Sequence, residues 1–405
     1  MTPLRRFVLV VFAAGLVFLG TTPHALAQED DGIMSRLDFS VKAMQGAQFF
    51  RTDLDDVTTS EAEFGFQRVR YNFQVDADLH EKIRLFADLG HEPNDFGTGG
   101  DSFSPAIDLL MLDLMLNDEF LIRLGTPVTT PFNFRGYSDG AETQSNPVIG
   151  NTPIDFITAQ TGVALVGNLE GGFGFDVTIT SPTFYETFQP GTGVSIIGKA
   201  KYATETFGIG GAIMKVTSQR RSGVVTSWIR GDGENYSIPG LGPNSRLTHA
   251  YINPGISPLV LHADAMFKSE FIEGDIWGGI STEQNSFAQR GDGGALFFVP
   301  NPRLGNGAFI VEEDTQMLFL GATAKINLTD NFFLGARGSF ADNSSDWASD
   351  LDNTTLFRIQ GGFGVTFLDK AMFKVEYVNQ SEGVNSPGQI GEDWYAVSTE
   401  LSVTL

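Results

Sequence analysis

Apolar and polar residues alternate one for one along most of this chain. "YNFQVDA" (71–77), "KIRLFADLG" (82–90), "FGFDVTI" (173–179), "PLVLHADAMFK" (258–268), "TLFRIQGGFGVTF" (355–367) and "MFKVEYV" (372–378) each place aliphatic or aromatic residues on one parity. The other parity carries charge, amide, hydroxyl or glycine. Because successive side chains of a strand point to opposite faces, this period marks strands with one apolar and one polar face. Sixteen such strands are expected, near 37–50, 63–77, 81–91, 105–116, 119–126, 158–168, 172–181, 192–203, 206–218, 245–253, 258–269, 314–327, 331–342, 353–367, 371–381 and 393–405. The pattern persists to the last residue, with Tyr395, Val397, Leu401, Val403 and Leu405 opposed by Ser398, Glu400, Ser402 and Thr404. A terminus usually frays, so a strand patterned to its end must be held by partners.

The connections alternate as regularly as the strands. Short turns fall at 78–81, 117–119, 168–171, 203–206, 253–258, 329–331 and 369–370, and long polar segments at 51–62, 92–104, 127–157, 182–191, 219–244, 270–313, 343–352 and 382–392. Eight long and seven short connections are what sixteen antiparallel strands require when both termini lie on the short-turn side. In lipid every backbone N–H and C=O must be paired within the protein, so a membrane-spanning sheet has to close on itself. The fold expected is all-β, a closed antiparallel transmembrane barrel over 37–405 in which the last strand pairs with the first. A soluble solenoid or sandwich would need a second layer against the apolar faces, and no segment supplies one.

The first 27 residues change the picture by giving an address. Arg5 and Arg6, an apolar run from Phe7 to Gly20 and the small-residue site Ala25-Leu26-Ala27 read as a secretory signal peptide, leaving a short segment, 28–36, before the first strand. The apolar run is shorter than the roughly 18 residues a transmembrane helix needs. With no cysteine in the chain, an exported protein of this size depends on backbone pairing and packing alone. Its 47 glycines and 35 phenylalanines suit strands and turns, and 26 basic against 49 acidic residues, a net −23, argues against nucleic acid as a partner.

The signal peptide, the period-two strands and the alternating terminal strand resemble a Gram-negative outer-membrane porin. More locally, "FGFQRVRYNFQVDADL" (64–79), "FLIRLGTPVTTPFNF" (120–134) and "TGVALVG" (161–167) resemble the phosphate-selective porin O/P group, in which a strand ending in Gly and then Pro-Phe leads into a long loop. The resemblance implies short turns in the periplasm, long loops outside the cell, outer-membrane lipid and lipopolysaccharide around the barrel, the barrel-assembly machinery as a partner, and a homotrimer. It also implies a water-filled channel for passive diffusion of small hydrophilic solutes and ions, with anion preference. One departure is the terminal residue, Leu405, where the family usually ends in Phe.

Strand parity places candidate chemistry. If Val69, Tyr71, Phe73 and Val75 face lipid, Arg68, Arg70, Asn72 and Gln74 face the interior, and the same logic turns Arg84, Asp88, Arg123, Lys199, Lys201, Asp264, Lys268, Lys325, Arg337 and Arg358 inward. The expected wall is rich in cations. Loop 127–157 is expected to fold inward and narrow the passage, with Asp139 and Glu142 facing Arg68, Arg70, Arg84 and Arg123. Acidic clusters at Asp53, Asp55 and Asp56, at Glu312, Glu313 and Asp314, and at Asp342, Asp346, Asp350 and Asp352 are expected on a solvated outer rim. The run "DNSSDWASDLDN" (342–353) has Trp347 where an EF-hand needs Gly, and "GIGG" (208–211) lacks the strand–loop–helix setting of a phosphate cradle. No Gly-x-Ser-x-Gly turn or metal-spaced His pair is present, so no catalytic residue, metal or cofactor is assigned. The alternatives to a porin are an outer-membrane enzyme of phospholipase type and a structural or adhesive barrel.

Overall fold

The computed structural model describes residues 36–52, 63–91, 106–128, 132–134, 146–149, 160–180, 194–217, 259–290, 309–383, 386 and 393–404. Their period-two sequence forms sixteen strands: β1 (Leu37–Thr52), β2 (Glu63–His80), β3 (Ile83–His91), β4 (Ala106–Met115), β5 (Phe120–Val128), β6 (Gln160–Leu169), β7 (Phe173–Thr180), β8 (Val194–Ala203), β9 (Phe207–Thr217), β10 (Leu259–Lys268), β11 (Ile272–Arg290), β12 (Phe309–Thr329), β13 (Phe332–Asn343), β14 (Thr355–Phe367), β15 (Ala371–Glu382) and β16 (Trp394–Thr404). Each strand neighbours the next in sequence, and β16 returns to β1, so the sheet is a closed barrel without an edge. At the seam Lys42 lies opposite Thr404 and Thr52 opposite Trp394, and on the other side of β16, toward β15, Thr404 N donates to Lys370 O at 2.9 Å. Phe39–Leu405 forms one compact unit.

Short turns are set by local side-chain acceptors. Thr204 Oγ1 accepts from Phe207 N, Ser269 Oγ accepts from Ile272 N, both at 3.1 Å, and Asn117 Oδ1 accepts from Phe120 N at 2.8 Å. These hydroxyls and the amide mimic a backbone turn and so fix the hairpin register.

The strand count agrees with the expectation, but one strand is elsewhere. Residues 245–253 lie outside the described residues, and β10 pairs directly with β9, Leu259 opposite Lys215. The sixteenth strand is instead β11, within 270–313, which was expected to be a loop; the short turn before it is 269–271. Its outward residues Ile272, Ile276 and Ile280 alternate with Gly274 and Gly278, which dilute the apolar signal to one residue in four. Close approach also selects glycine here, since a Cβ at Gly274 would come within 2.8 Å of Thr323 O. A Cβ at Gly279 would overlap Leu261 O, and one at Gly321 on β12 would overlap the Trp277 ring.

Burial is inverted relative to a soluble protein. Ile276 is 62% exposed and Phe173 57%, whereas Arg358 and Glu376 are 0% exposed. A closed sheet with an apolar outer surface and a polar inner one is the arrangement a lipid environment selects. Among the described residues a large apolar cluster lies inside, where Ile197, Met214, Val260, Trp277, Met317 and Phe319 of β8–β12 gather around Phe132.

Candidate functional site: the barrel interior

The interior is entered by the connection between β5 and β6, and the sequence shows how. β5 ends in Gly125-Thr126-Pro127; Gly125 has φ +103°, a Cβ there would overlap Leu110 O, and the β5–β6 register shifts between Gly125 and Val128. A bulge of this kind bends the strand and redirects the chain that follows. Two described segments of the connection, 132–134 and 146–149, then sit against inner-wall residues of two different arcs.

The first segment is clamped to β8–β10. Asn133 N and Asn133 Nδ2 donate to the two oxygens of Asp264, both at 2.7 Å, Phe134 N adds a bond to the same carboxylate at 3.3 Å, and Lys199 Nζ donates to Phe132 O at 3.3 Å. Space is cleared by glycine, since a Cβ at Gly208 would come within 2.6 Å of the Phe134 ring and one at Gly210 within 2.7 Å of Asn133. "GIGG" is therefore a seat for this segment.

The second segment is held by β13 and β15. Arg337 Nη2 donates to Asn146 Oδ1 at 2.8 Å, Lys374 Nζ to Asn146 O at 3.2 Å, and Ile149 N to Glu376. A Cβ at Gly335 would overlap Pro147 O. Behind it, Lys374 pairs with Glu400 at 2.9 Å and Arg358 Nε donates to Gln380 Oε1 at 2.7 Å. Such buried charges persist only where each is paired and hydrogen-bonded.

The basic residues expected on the wall divide into groups. Asp78, Arg84, Asp113 and Arg123 stand opposite one another in register across β2–β5, an alternating row near the short-turn end. Arg84 Nε meets Asp78 at 2.8 Å, and Arg123 meets both oxygens of Asp113 at 2.7 Å. Lys199 approaches Asp176 at 3.7 Å, and Lys201 is exposed two residues along. Arg337 and Arg358 lie on the inner face but are 2% and 0% exposed, so their charges hold the wall and the inner segment together rather than meeting solvent. Acids on neighbouring strands balance Arg84 and Arg123, while Asp139 and Glu142, expected to face them, lie outside the described residues, as do the side chains of Arg68 and Arg70 on β2.

The partners that sequence reasoning missed are Asp78, Asp113, Asp176, Glu376 and Glu400. Each stands on the interior parity of its strand, and that parity was the available signal; pairing required the register between strands. Asn72, Gln74 and Asp88, expected inside, form one group, with Asn72 Nδ2 and Gln74 Nε2 donating to Asp88 at 3.0 and 2.8 Å.

No protein-family model matches the sequence, and no curated protein matches it. Solved structures match over nearly the whole chain. The anion-selective porin from Comamonas acidovorans is 11% identical with a TM-score of 0.57, over 91% of this chain and 99% of that one. The fold is a porin-type barrel. OmpF of Salmonella typhi, in complex with daunomycin, is 13% identical with a TM-score of 0.58, over 91% and 97% of the two chains. The outer membrane channel DcaP of Acinetobacter baumannii is 12% identical with a TM-score of 0.54, over 91% and 97%. At these identities the likeness concerns the fold.

Proposed function

We propose that this protein is an outer-membrane porin of a Gram-negative bacterium, a water-filled channel through which small hydrophilic solutes and ions diffuse passively, and not an enzyme. The observation that carries the reading is the inner connection, seated at Asp264 on one arc and at Arg337, Lys374 and Glu376 on another. Two segments seated on different arcs of the inner wall narrow the passage without closing the barrel, and selectivity then comes from width and lining charge. Loop 127–157 is the constriction in this reading. Anion preference is weak, because Asp78, Asp113 and Asp176 offset Arg84, Arg123 and Lys199; it rests on the exposed Lys201, joined by Arg68 and Arg70 through strand parity.

The remaining parts of the reading rest on the porin likeness. Residues 1–27 are a cleaved export signal, lipid and lipopolysaccharide surround the apolar outer face, the assembly machinery inserts the chain, and three copies associate. Membership of the phosphate-selective O/P group rests on the motifs at 64–79, 120–134 and 161–167. Liposomes carrying the purified protein should swell in small sugars and amino acids at rates that fall with solute size. Swelling no faster than in protein-free liposomes would reject the channel.

A further inference from the structure

His262 lies where the inner segment is clamped, and it is built into the wall without a hydrogen-bond partner. Its side chain is 1% exposed, and neither Nδ1 nor Nε2 has a partner. The ring is enclosed by aromatic groups, with Phe132 edge-on at 5.1 Å and Phe319 stacked at 6.1 Å; Phe132 also stands edge-on to Trp277 at 5.8 Å. The nearest acid is Asp264, with Oδ1 3.9 Å from His262 Nε2, and that same oxygen accepts from Asn133 Nδ2.

We propose that protonation of His262 releases the 132–134 segment from the wall, which makes the channel acid-gated; the proposal rests on the channel reading above. A neutral imidazole tolerates an aromatic enclosure, whereas an imidazolium buried there must find an anion or water. Asp264 is the anion within reach, and a charge-assisted bond from His262 competes with Asn133 for Oδ1, loosening the clamp. The described surroundings reinforce this. β8 contributes Lys199, which opposes a second positive charge, with Asp176 of β7 already engaged by that lysine at 3.7 Å. β11 places Asp275 on the same face, two residues from Trp277, and it has an interaction of its own. β9 presents Gly210 and Ala212 opposite, β12 presents Phe319, and segment 132–134 carries no charge.

The test is single-channel recording of the full-length protein and of His262→Phe, which keeps an aromatic ring in the enclosure, with His262→Leu as a second variant. In the unmodified protein, brief current transitions should become about fivefold or more frequent between about pH 7.5 and about pH 4.5, a span that covers the histidine range. Both variants should remain as quiet at the lower pH as at the higher one. If the variants respond to acid as the unmodified protein does, or if the unmodified protein is equally quiet at both values, the switch is refuted. If no channel forms at the higher pH, the channel reading fails first, which separates the two conclusions.

Discussion

Replacing Asp264 by Ala should widen the passage, and the size of the effect can be worked from the contacts. The carboxylate accepts three bonds from 133 and 134, at 2.7, 2.7 and 3.3 Å. Hydrogen bonds to a charged group contribute about 1.5–3 kcal/mol each, and allowing for their overlap the set contributes about 4–5 kcal/mol. Burying Phe132 adds about 2–3 kcal/mol. Fixing three residues costs about 3–6 kcal/mol of backbone entropy. The segment is thus seated by about 2–3 kcal/mol, and without Asp264 the balance turns unfavourable by a similar amount. A swing of about 4 kcal/mol corresponds to roughly a thousandfold change in the seated-to-released ratio. Liposome swelling with sugars of graded size should show entry of molecules that the unmodified protein excludes, and the conductance step should grow. An Asp264→Ala barrel with unchanged conductance and exclusion would refute the clamp.

Other perturbations test separate parts of the account. Gly210→Val should unseat the same segment without changing charge, since even a Cβ comes within 2.7 Å of Asn133, and should raise conductance as Asp264→Ala does. Arg123→Ser leaves Asp113, whose side chain is 10% exposed, without its ion pair, and should lower barrel stability by about 3 kcal/mol, seen as unfolding at a lower temperature in heat-modifiability gels. Deleting Val403–Leu405 removes the pairs of Val403 with Ala43 and Ala371, and should leave protease-sensitive chain in place of membrane-inserted barrel. Tags after Asp350 and after Asp369, at opposite barrel ends, should be labelled on intact cells in the first case only.

Most of the barrel was legible because lipid outside and polar groups inside impose the same alternation on every strand. β14, β15 and β16 show it over most of their length. β11 escaped because Gly274, Gly278 and Gly279 make room for neighbouring strands and rings, and so remove the side chains that would have announced a strand. The connection after β5 was expected to fold inward and Asp264 to face inward by parity, but the clamp depends on which residues about 130 positions apart meet across a closed sheet. The ion pairs were hidden for the same reason. Arg123 and Asp113 are each readable as interior residues, yet their contact is fixed by the β4–β5 turn, where Asn117 caps Glu119 and Phe120.

The most direct test is conductance across a planar lipid bilayer by the purified, folded protein. Discrete, long-lived steps are expected, with a conductance that rises nearly in proportion to KCl concentration and a small reversal potential of anion-preferring sign in a salt gradient. A folded, inserted barrel that passes no current at any salt concentration would contradict the claim that this protein is an open channel.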